Sequence, residues 1–252
     1  MDDDLITEAA ALLCEAQHPV ALTGAGISTP SGIPDFRSPG TGLWEHANPM
    51  DIVSIRAFRR DPQAFYDWMR PLVEVMRAAE ANPAHRALAE LERAGHLRAV
   101  LTQNIDGLHQ RGGSQEVLEL HGHTRDVVCL DCHWRAPADR YLDDFLATGA
   151  VPRCPRCGNW LKPDVVLFGE PLPLKVLNRA LEHAARADLM LVVGSSLVVT
   201  PASQLPLMVL EHGGRGIIVN LTPTYLDSRA AVVIHADVVT ALPAIVRACG
   251  ER

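Results

Sequence analysis

The chain has 252 residues, 48% of them hydrophobic, and a formal net charge of -7 at pH 7. This apolar content supports a substantial core and excludes a largely disordered chain. The negative charge argues against a broad electrostatic surface for nucleic acids, so we expect no direct nucleic-acid partner. An acidic start and short apolar runs predict neither a signal peptide nor a membrane segment, and hence a cytoplasmic protein.

Helix-like and strand-like segments alternate along the chain. The pattern predicts strands at residues 20–23, 98–102, 188–194, 216–220 and 232–235, and helices at residues 5–17, 83–95, 173–187, 201–213 and 238–249. Such alternation is typical of an α/β fold, a parallel sheet covered by helices on both faces. Ligands bind these sheets beyond the carboxyl ends of the strands. The residues expected at that edge are Gly24, Gln103, Gly194 and Asn220.

Two stretches interrupt this alternation. Residues 41–82 read as helical, and residues 125–162 hold four of the six cysteines. We expect them to form a smaller lobe, made of a helical module at 41–82 and a metal-binding module at 125–162. The larger lobe would comprise residues 1–40, 83–124 and 163–252.

The first predicted strand runs into a glycine turn, within the sequence TGAGISTPSGIPDFRS of residues 23–38. Glycine lets the backbone approach an anion closely, so exposed N–H groups can point at phosphate oxygens. The pattern is GxGxxT, not the dinucleotide fingerprint GxGxxG. Because prolines follow it, we predict a phosphate-binding turn and then a long ordered loop carrying Asp35, Phe36 and Arg37. A purely structural turn is the alternative.

Polar side chains follow the second predicted strand, in the sequence Gln103-Asn104-Ile105-Asp106. Their amides and carboxylate suit ribose hydroxyls and a carboxamide, although Asn104 or Asp106 could instead cap a helix. Further along, His121 precedes a glycine where the two lobes should meet. An imidazole titrates near neutral pH and can serve as a general base. With eleven histidines in the chain, a structural role for His121 is equally open on position alone.

Four cysteines form two CxxC pairs separated by 21 residues: Cys129, Cys132, Cys154 and Cys157. This spacing is typical of a tetrahedral zinc site. Four thiolates leave no open coordination position, so the predicted zinc is structural. A redox-active CxxC is the alternative. The two remaining cysteines lie in helix-like segments and are interpreted as buried thiols: Cys14 and Cys249.

Several motifs occur in an order that closely resembles a sirtuin, of a bacterial or archaeal type. They are GAGIS at 24–28, PDFR at 34–37, QNID at 103–106, His121-Gly122, the four cysteines, VLFGE at 166–170 and GSS at 194–196. The resemblance covers residues 19–238. It implies a Rossmann-like lobe and a smaller lobe around a cleft, in a protein lysine deacylase that consumes NAD as co-substrate and holds a structural Zn2+.

The resemblance also implies roles for individual residues. The NAD-binding residues would be Gly24, Ala25, Gly26, Thr29, Phe36, Arg37, Gln103, Asn104, Ile105, Asp106, His121, Gly194, Ser195, Ser196, Asn220, Leu221, Asp237 and Val238. The peptide-binding residues would be Phe36, Val166, Phe168, Gly169 and Glu170, with the Val166 carbonyl accepting the acyl-lysine amide. The catalytic residues would be His121, as the base, and Asn104.

The implied reaction transfers the acyl group of an acetylated protein lysine to ADP-ribose, releasing nicotinamide, free lysine and O-acetyl-ADP-ribose. Relatives that remove succinyl or malonyl groups carry Tyr and, three residues on, Arg. Here Tyr66 is followed at that spacing by Met69, and Arg70 is one position late. One position rotates a helical side chain by about 100°, so a neutral acyl group such as acetyl is expected.

Two other functions stay open. The same activated ribose could be captured by a protein nucleophile, which would make the chain a mono-ADP-ribosyltransferase. The second is an adaptor that binds through the zinc module and only senses NAD. Its support in the sequence is a short basic cluster of Arg153, Arg156 and Lys162.

Overall fold

The computed structural model describes residues 2–35, 42–43 and 48–250. The strands are β1 (Pro19–Thr23), β2 (Ala99–Thr102), β3 (Val117–Glu119), β4 (Gly122–Cys129), β5 (Arg135–Pro137), β6 (Leu161–Val165), β7 (Leu189–Val193), β8 (Arg215–Val219) and β9 (Val232–Ile234). The α-helices are α1 (Asp3–Glu15), α2 (Pro49–Ile52), α3 (Ile55–Arg60), α4 (Pro62–Ala78), α5 (Pro83–Arg93), α6 (Leu108–Gly112), α7 (Asp139–Thr148), α8 (Leu174–Arg186), α9 (Gln204–Glu211) and α10 (Val238–Gly250). Two residues of the predicted loop, Phe36 and Arg37, lie outside the described ranges.

Six strands form a parallel sheet in the order β3-β2-β1-β7-β8-β9. Every residue of β1, β2 and β7 is buried, which is why these strands read as continuous apolar runs in the sequence. The chain starts in the middle of the sheet, builds one half through β2 and β3, and then builds the other half from β7. This doubly wound order confirms the predicted Rossmann-like sheet.

Helices cover both faces of this sheet, as predicted. On one face α1, α5 and α10 pack on Ala21, Leu191 and Ile217. On the other face α8 and α9 pack on Val20 and Val192. Neighbouring residues of β1 thus serve opposite cores, as the two-residue period of a strand requires.

A second, antiparallel sheet has the order β5-β4-β6. It shares one hydrophobic core with α3, α4 and α7, and the core contains a cluster of aromatic rings: Phe58, Phe65, Tyr66 and Phe145. The helical segment and the cysteine-bearing segment therefore pack on each other.

Local hydrogen bonds decide where some elements begin. Helix α1 starts at Asp3, earlier than predicted, because the Asp2 carboxylate accepts a hydrogen bond from the Asp4 N–H at 3.1 Å. After β1 the chain forms two short 3-10 helices, Ala25–Ile27 and Thr29–Ser31, so the segment after Thr29 starts as a helical turn and not as the loop expected there. Within the described ranges no helix combines the length and the apolar character that crossing a bilayer requires.

Candidate active site

The carboxyl ends of the central strands open on one cleft of about 780 Å³. The residues that follow β1, β2, β7 and β8 line it: Gly24, Gln103, Gly194 and Asn220. The remaining wall comes largely from the segment after β6 and from α4. Doubly wound sheets bind nucleotides at this point, where the strand order reverses.

Three glycines let the turn after β1 touch the turn after β7. The Gly26 N–H donates to the Gly194 carbonyl at 2.9 Å. A Cβ on Gly194 would lie 2.3 Å from the Ile27 nitrogen, and a Cβ on Gly24 would lie 2.8 Å from the Gly194 carbonyl oxygen. Gly194 also has φ +57°, a conformation that side chains disfavour. The two turns form a cradle of backbone atoms, and a side chain at any of the three glycines would clash with that backbone.

A buried serine links the polar residues that follow β1 and β2. The Ser28 hydroxyl donates to the Asp106 carboxylate at 2.7 Å. The Asn104 side-chain amide donates to the Ser28 hydroxyl and to the Gly24 carbonyl, both at 3.1 Å, which leaves Asn104 Oδ1 to accept a hydrogen bond from a ligand. Ser28 escapes sequence reasoning, because a serine inside a turn has many uses and its partners Asn104 and Asp106 are 76 and 78 residues away.

Asp106 has a second contact. Its other carboxylate oxygen accepts from the Leu108 N–H at 2.8 Å, in the first turn of α6. Gly107 is the N-cap of α6, so Asp106 satisfies the first N–H of the helix from the position before the cap. Burial raises the pKa of the Asp106 carboxyl, while the hydrogen bonds from Leu108 and Ser28 oppose this shift.

His121 lies between β3 and β4 with one ring nitrogen already bonded. Its Nδ1 lies 2.9 Å from the Gln103 carbonyl oxygen. Because a carbonyl only accepts, the neutral ring carries its proton on Nδ1, and Nε2 is the basic nitrogen. Burial lowers the pKa of His121 below its ordinary value of 6.5, and the hydrogen bond to Gln103 opposes this shift. The ring is therefore neutral at pH 7 and able to accept a proton.

The glycine after His121 has a structural reason. Gly122 has φ +74°, and a Cβ there would lie 2.1 Å from the Asp164 carbonyl oxygen. Only glycine lets β6 approach the start of β4 this closely. The approach brings the segment after β6 alongside His121, since the Val166 N–H donates to the His121 carbonyl at 2.8 Å.

The segment after β6 is held by backbone hydrogen bonds on the side of the helical module. The Phe168 N–H donates to the Val53 carbonyl at 3.0 Å, and the Phe168 carbonyl accepts from the Ile55 N–H at 2.9 Å. Among the described residues, the Val166 carbonyl has no hydrogen-bond partner. It is thus available to an extended chain that enters the cleft.

A family model described as Sir2 family matches residues 24–201. The chain belongs to the Sir2 family. The predicted sirtuin resemblance is thereby confirmed. Among curated relatives, the NAD-dependent protein deacylase 2 of Archaeoglobus fulgidus is 48% identical over 97% of this chain and 96% of its own. The NAD-dependent protein deacetylase of Caldivirga maquilingensis is 49% identical over 93% of this chain and 90% of its own.

A solved Sir2 structure in complex with a p53 peptide and NAD+ superposes on this sirtuin with a TM-score of 0.89. Its sequence identity is 41%, and the superposition covers 97% of this chain and 98% of the solved one. The whole sirtuin architecture is therefore shared, and not only the nucleotide-binding sheet.

The structure places the predicted site residues of this sirtuin together. Apart from Phe36 and Arg37, which lie outside the described ranges, all of them line the cleft: Gly24, Ala25, Gly26, Thr29, Gln103, Asn104, Ile105, Asp106, His121, Val166, Phe168, Gly169, Glu170, Gly194, Ser195, Ser196, Asn220, Leu221, Asp237 and Val238. Asn220 and Asp237 are among those that also have local structural contacts. The Asn220 amide donates to the Thr222 carbonyl at 2.7 Å, and the Asp237 carboxylate accepts from the Val239 N–H at 3.0 Å at the start of α10.

One wall of the cleft is absent from the sequence predictions. It is apolar and comes mainly from one side of α4, with Phe65, Trp68, Met69, Leu72 and Met76. Their spacing of three and four residues is the ordinary signature of a helix face that packs in a core. A sequence pattern cannot tell that core face from a cleft wall, because the difference lies in what faces the helix.

The four predicted cysteines of this sirtuin converge, with all four sulfurs within 4.8 Å of one another. The Cys129–Cys157 and Cys132–Cys154 sulfur distances are 3.5 and 3.6 Å. Sulfurs bound to one zinc at about 2.3 Å stand about 3.8 Å apart in a tetrahedron, so the geometry fits this metal. This convergence of four thiols is consistent with the predicted structural zinc, and four thiolates leave no position for substrate.

We expect Gly194→Ala to weaken ADP-ribose binding about tenfold or more, because its methyl group would push the two turns apart at an overpacking cost of about 1–3 kcal/mol. Gly213→Ala is the matched control, since Gly213 has φ +87° but no atom within 4 Å of its Cβ position. The control should show only the backbone penalty of about 1 kcal/mol in unfolding free energy. Calorimetric titration and urea unfolding measure the two effects, and equal ADP-ribose affinities would contradict this account of the cradle.

Proposed function

We propose that this sirtuin is an NAD-dependent protein lysine deacetylase, which transfers the acetyl group to ADP-ribose and releases nicotinamide and O-acetyl-ADP-ribose. The observation that carries the proposal is the position of His121, whose ring lines the same cleft as the glycine turns and the extended segment 166–170. Transfer of an acyl group from a peptide to a nucleotide needs the two substrates and a base in one place.

Bound NAD would supply the ribosyl carbon, whose bond to nicotinamide would break as the acyl oxygen of the peptide forms a bond to that carbon. The backbone of residues 24–26 holds the phosphates, and Asn104 presents Oδ1 to the nicotinamide end. His121 Nε2 takes a proton from a ribose hydroxyl, while the Gln103 carbonyl keeps the resulting imidazolium in place through Nδ1. We also propose, from the sirtuin resemblance, that Phe36 and Arg37 cover the bound nucleotide.

The peptide side of the proposal uses main-chain pairing. The Val166 carbonyl, which no described residue bonds, accepts the amide N–H of the acyl-lysine, and the substrate lies along residues 166–170 as an added strand. Phe168 lines the cleft and packs beside the stem of the lysine. Because main-chain atoms make these bonds, we propose that acetylated lysines in a range of protein sequences are accepted.

The acyl group is proposed to be neutral because no cationic side chain of α4 faces the cleft at positions 66–70. Met69 lines the cleft, whereas the Arg70 guanidinium donates to the Leu146 and Phe145 carbonyls at 2.7 and 3.0 Å and lies over the Phe145 ring. The Tyr66 hydroxyl donates to the Leu161 carbonyl at 3.0 Å. A succinyl carboxylate would enter this apolar wall unpaired, at a cost of several kcal/mol.

We expect kcat/KM for an acetyl-lysine peptide to exceed that for its succinyl counterpart by about 100-fold. Met69→Arg should reduce this ratio by at least about tenfold, because it places a cation on the cleft wall. Glu74→Arg, on the exposed side of α4, is the control that changes charge without facing the cleft. A succinyl rate above the acetyl rate in the natural protein would overturn the proposed acyl preference.

Nicotinamide release with and without acetylated peptide separates the competing functions. A deacetylase releases nicotinamide only with the acetylated peptide, whereas an ADP-ribosyltransferase labels protein without it. The adaptor has less support than the sequence suggested, because Lys162 is buried; Arg153 and Arg156 are exposed, and Arg153 stacks on Trp160 at 3.6 Å from the ring centroid. Binding of NAD without turnover would restore that alternative.

We also propose the division predicted above, with a larger lobe of residues 1–40, 83–124 and 163–252, and a smaller lobe of 41–82 and 125–162. Separate hydrophobic cores for the two sheets support it. A cytoplasmic location is part of the proposal. The cytoplasmic location is supported by the four convergent cysteines, which are unpaired thiols in metal-site geometry. Such thiols persist in a reducing compartment.

A further inference from the structure

A charged pair with one buried member, Lys162, and one partly buried member, Glu170, joins the two ends of the segment that borders the cleft. Lys162 is only 2% exposed, and its Nζ lies 3.0 Å from Glu170 Oε2. Buried lysines are rare in proteins unless a partner and hydrogen bonds compensate for the lost water. Burial lowers the pKa of Lys162, and Glu170 is the largest of the influences that raise it; Asp164 adds to Glu170, and Arg135 opposes them.

Each member of the pair also binds the backbone between them. Lys162 Nζ donates to the Val165 carbonyl, and Glu170 Oε2 accepts from the Leu167 N–H at 2.9 Å. The Glu170 N–H in turn donates to the Leu167 carbonyl at 2.9 Å. The ion pair and these hydrogen bonds therefore link the two ends of segment 162–170 to each other and to the backbone between them.

These bonds determine which backbone N–H and carbonyl groups of residues 165–168 already have a hydrogen-bond partner inside the protein. The groups of Val165 and Leu167 are occupied by the charged pair, and those of Phe168 by the helical module. The Val166 carbonyl, midway between Val165 and Leu167, has no hydrogen-bond partner in the described part of the chain. The Glu170 carboxylate oxygen that meets Leu167 is committed inside the protein, so a direct bond from that oxygen to a peptide is not needed to explain the residue.

We propose that Lys162 and Glu170 are positioning residues for the acyl-lysine peptide, whose ion pair holds residues 165–168 extended with the Val166 carbonyl turned to the substrate. This inference rests on the proposed function and deepens it, since Glu170 would act through the backbone and not by touching the peptide. If the extended form fell to one tenth of the population, the apparent Kd of the peptide would rise about tenfold.

The test compares Glu170→Gln, Lys162→Met and the double variant with the natural protein. Peptide Kd, KM for peptide and for NAD, ADP-ribose Kd and thermal unfolding are measured for each. We expect Glu170→Gln to raise peptide Kd and KM about tenfold and to change ADP-ribose Kd less than about twofold. Lys162→Met should have the larger effect, because it leaves the Glu170 charge unpaired, and the double variant should recover part of the loss.

Lys175→Met is the matched control, since it removes the other lysine of the chain at an exposed position of α8. It should leave all constants unchanged. Peptide constants of Glu170→Gln within about twofold of the natural protein, or an equal weakening of ADP-ribose binding, would overturn the positioning role. If the natural protein itself neither binds nor deacetylates the acetylated peptide, the proposed function fails instead. If Lys162→Met does not fold, the peptide and ADP-ribose constants of the milder variant Glu170→Gln still test the positioning role.

Discussion

Replacing His121 by alanine is expected to lower kcat/KM for NAD-dependent deacetylation by about 10²- to 10⁴-fold, the usual contribution of a positioned base. The Nδ1 bond to the Gln103 carbonyl fixes the ring with Nε2 as its only basic atom. Alanine removes that atom but leaves the glycine turns untouched. ADP-ribose affinity, measured by calorimetry, should therefore change far less than the rate.

The pH profile gives an independent check of the same residue. Burial lowers the pKa of His121 below 6.5, and a base works only when it is unprotonated. The rate constant kcat/KM should therefore be level around pH 7 and fall on the acid side, below pH 6.5. His212→Ala, an exposed histidine at the end of α9, is the control and should keep both rate and profile. An alanine variant of His121 with full activity would disprove its role as the base.

Replacing Cys154 by serine is expected to release the zinc and to lower the unfolding temperature by roughly 10 °C or more. Cys154 is buried in the same core as the small antiparallel sheet, and its sulfur lies 3.6 Å from that of Cys132. Losing one ligand opens the tetrahedron, and structural zinc sites contribute folding free energy outright. Deacetylation should fail as a consequence, since α4 and β6 pack on this core and line the cleft.

Cys14→Ser is the matched control for Cys154→Ser, because Cys14 lies half-buried on α1 and outside the cluster. Zinc content by plasma mass spectrometry and thermal unfolding, each with and without a chelator, distinguish the two variants. Retention of one zinc per chain and of full activity in Cys154→Ser would refute a structural four-thiolate site.

Periodicity was sufficient to predict the architecture of the larger sheet. Strands β1 and β7 are buried on both faces and, apart from Thr23, are apolar, and the helices between them carry one apolar side, so element type and order are both written locally. The cysteine spacing predicted the metal ligands for a similar reason, since a CxxC turn presents two sulfurs to one ion whatever surrounds it. The sirtuin motifs likewise named residues that the strand ends then brought to one cleft.

Long-range contacts were beyond such reasoning. The Arg70 guanidinium is bonded to carbonyls of α7, so its charge does not face the cleft. The apolar face of α4, which looks like an ordinary core face in the sequence, lines the cleft. Lys162 read as part of an exposed basic cluster, yet it is buried against Glu170. Each outcome depends on which element lies opposite a side chain, and that is not encoded in the spacing of neighbours.

The sequence by itself determined the strand and helix order and the family of this protein, and it predicted the four cysteines that the structure brings together. It left the chemical state of the site open, and the tertiary structure decided it. A histidine becomes a base with a defined tautomer only when a particular carbonyl stands 2.9 Å from one nitrogen. A carbonyl such as that of Val166 becomes a binding group only when its neighbours are bonded elsewhere. Both properties belong to pairs of atoms brought together by folding, so no single position in the chain carries them.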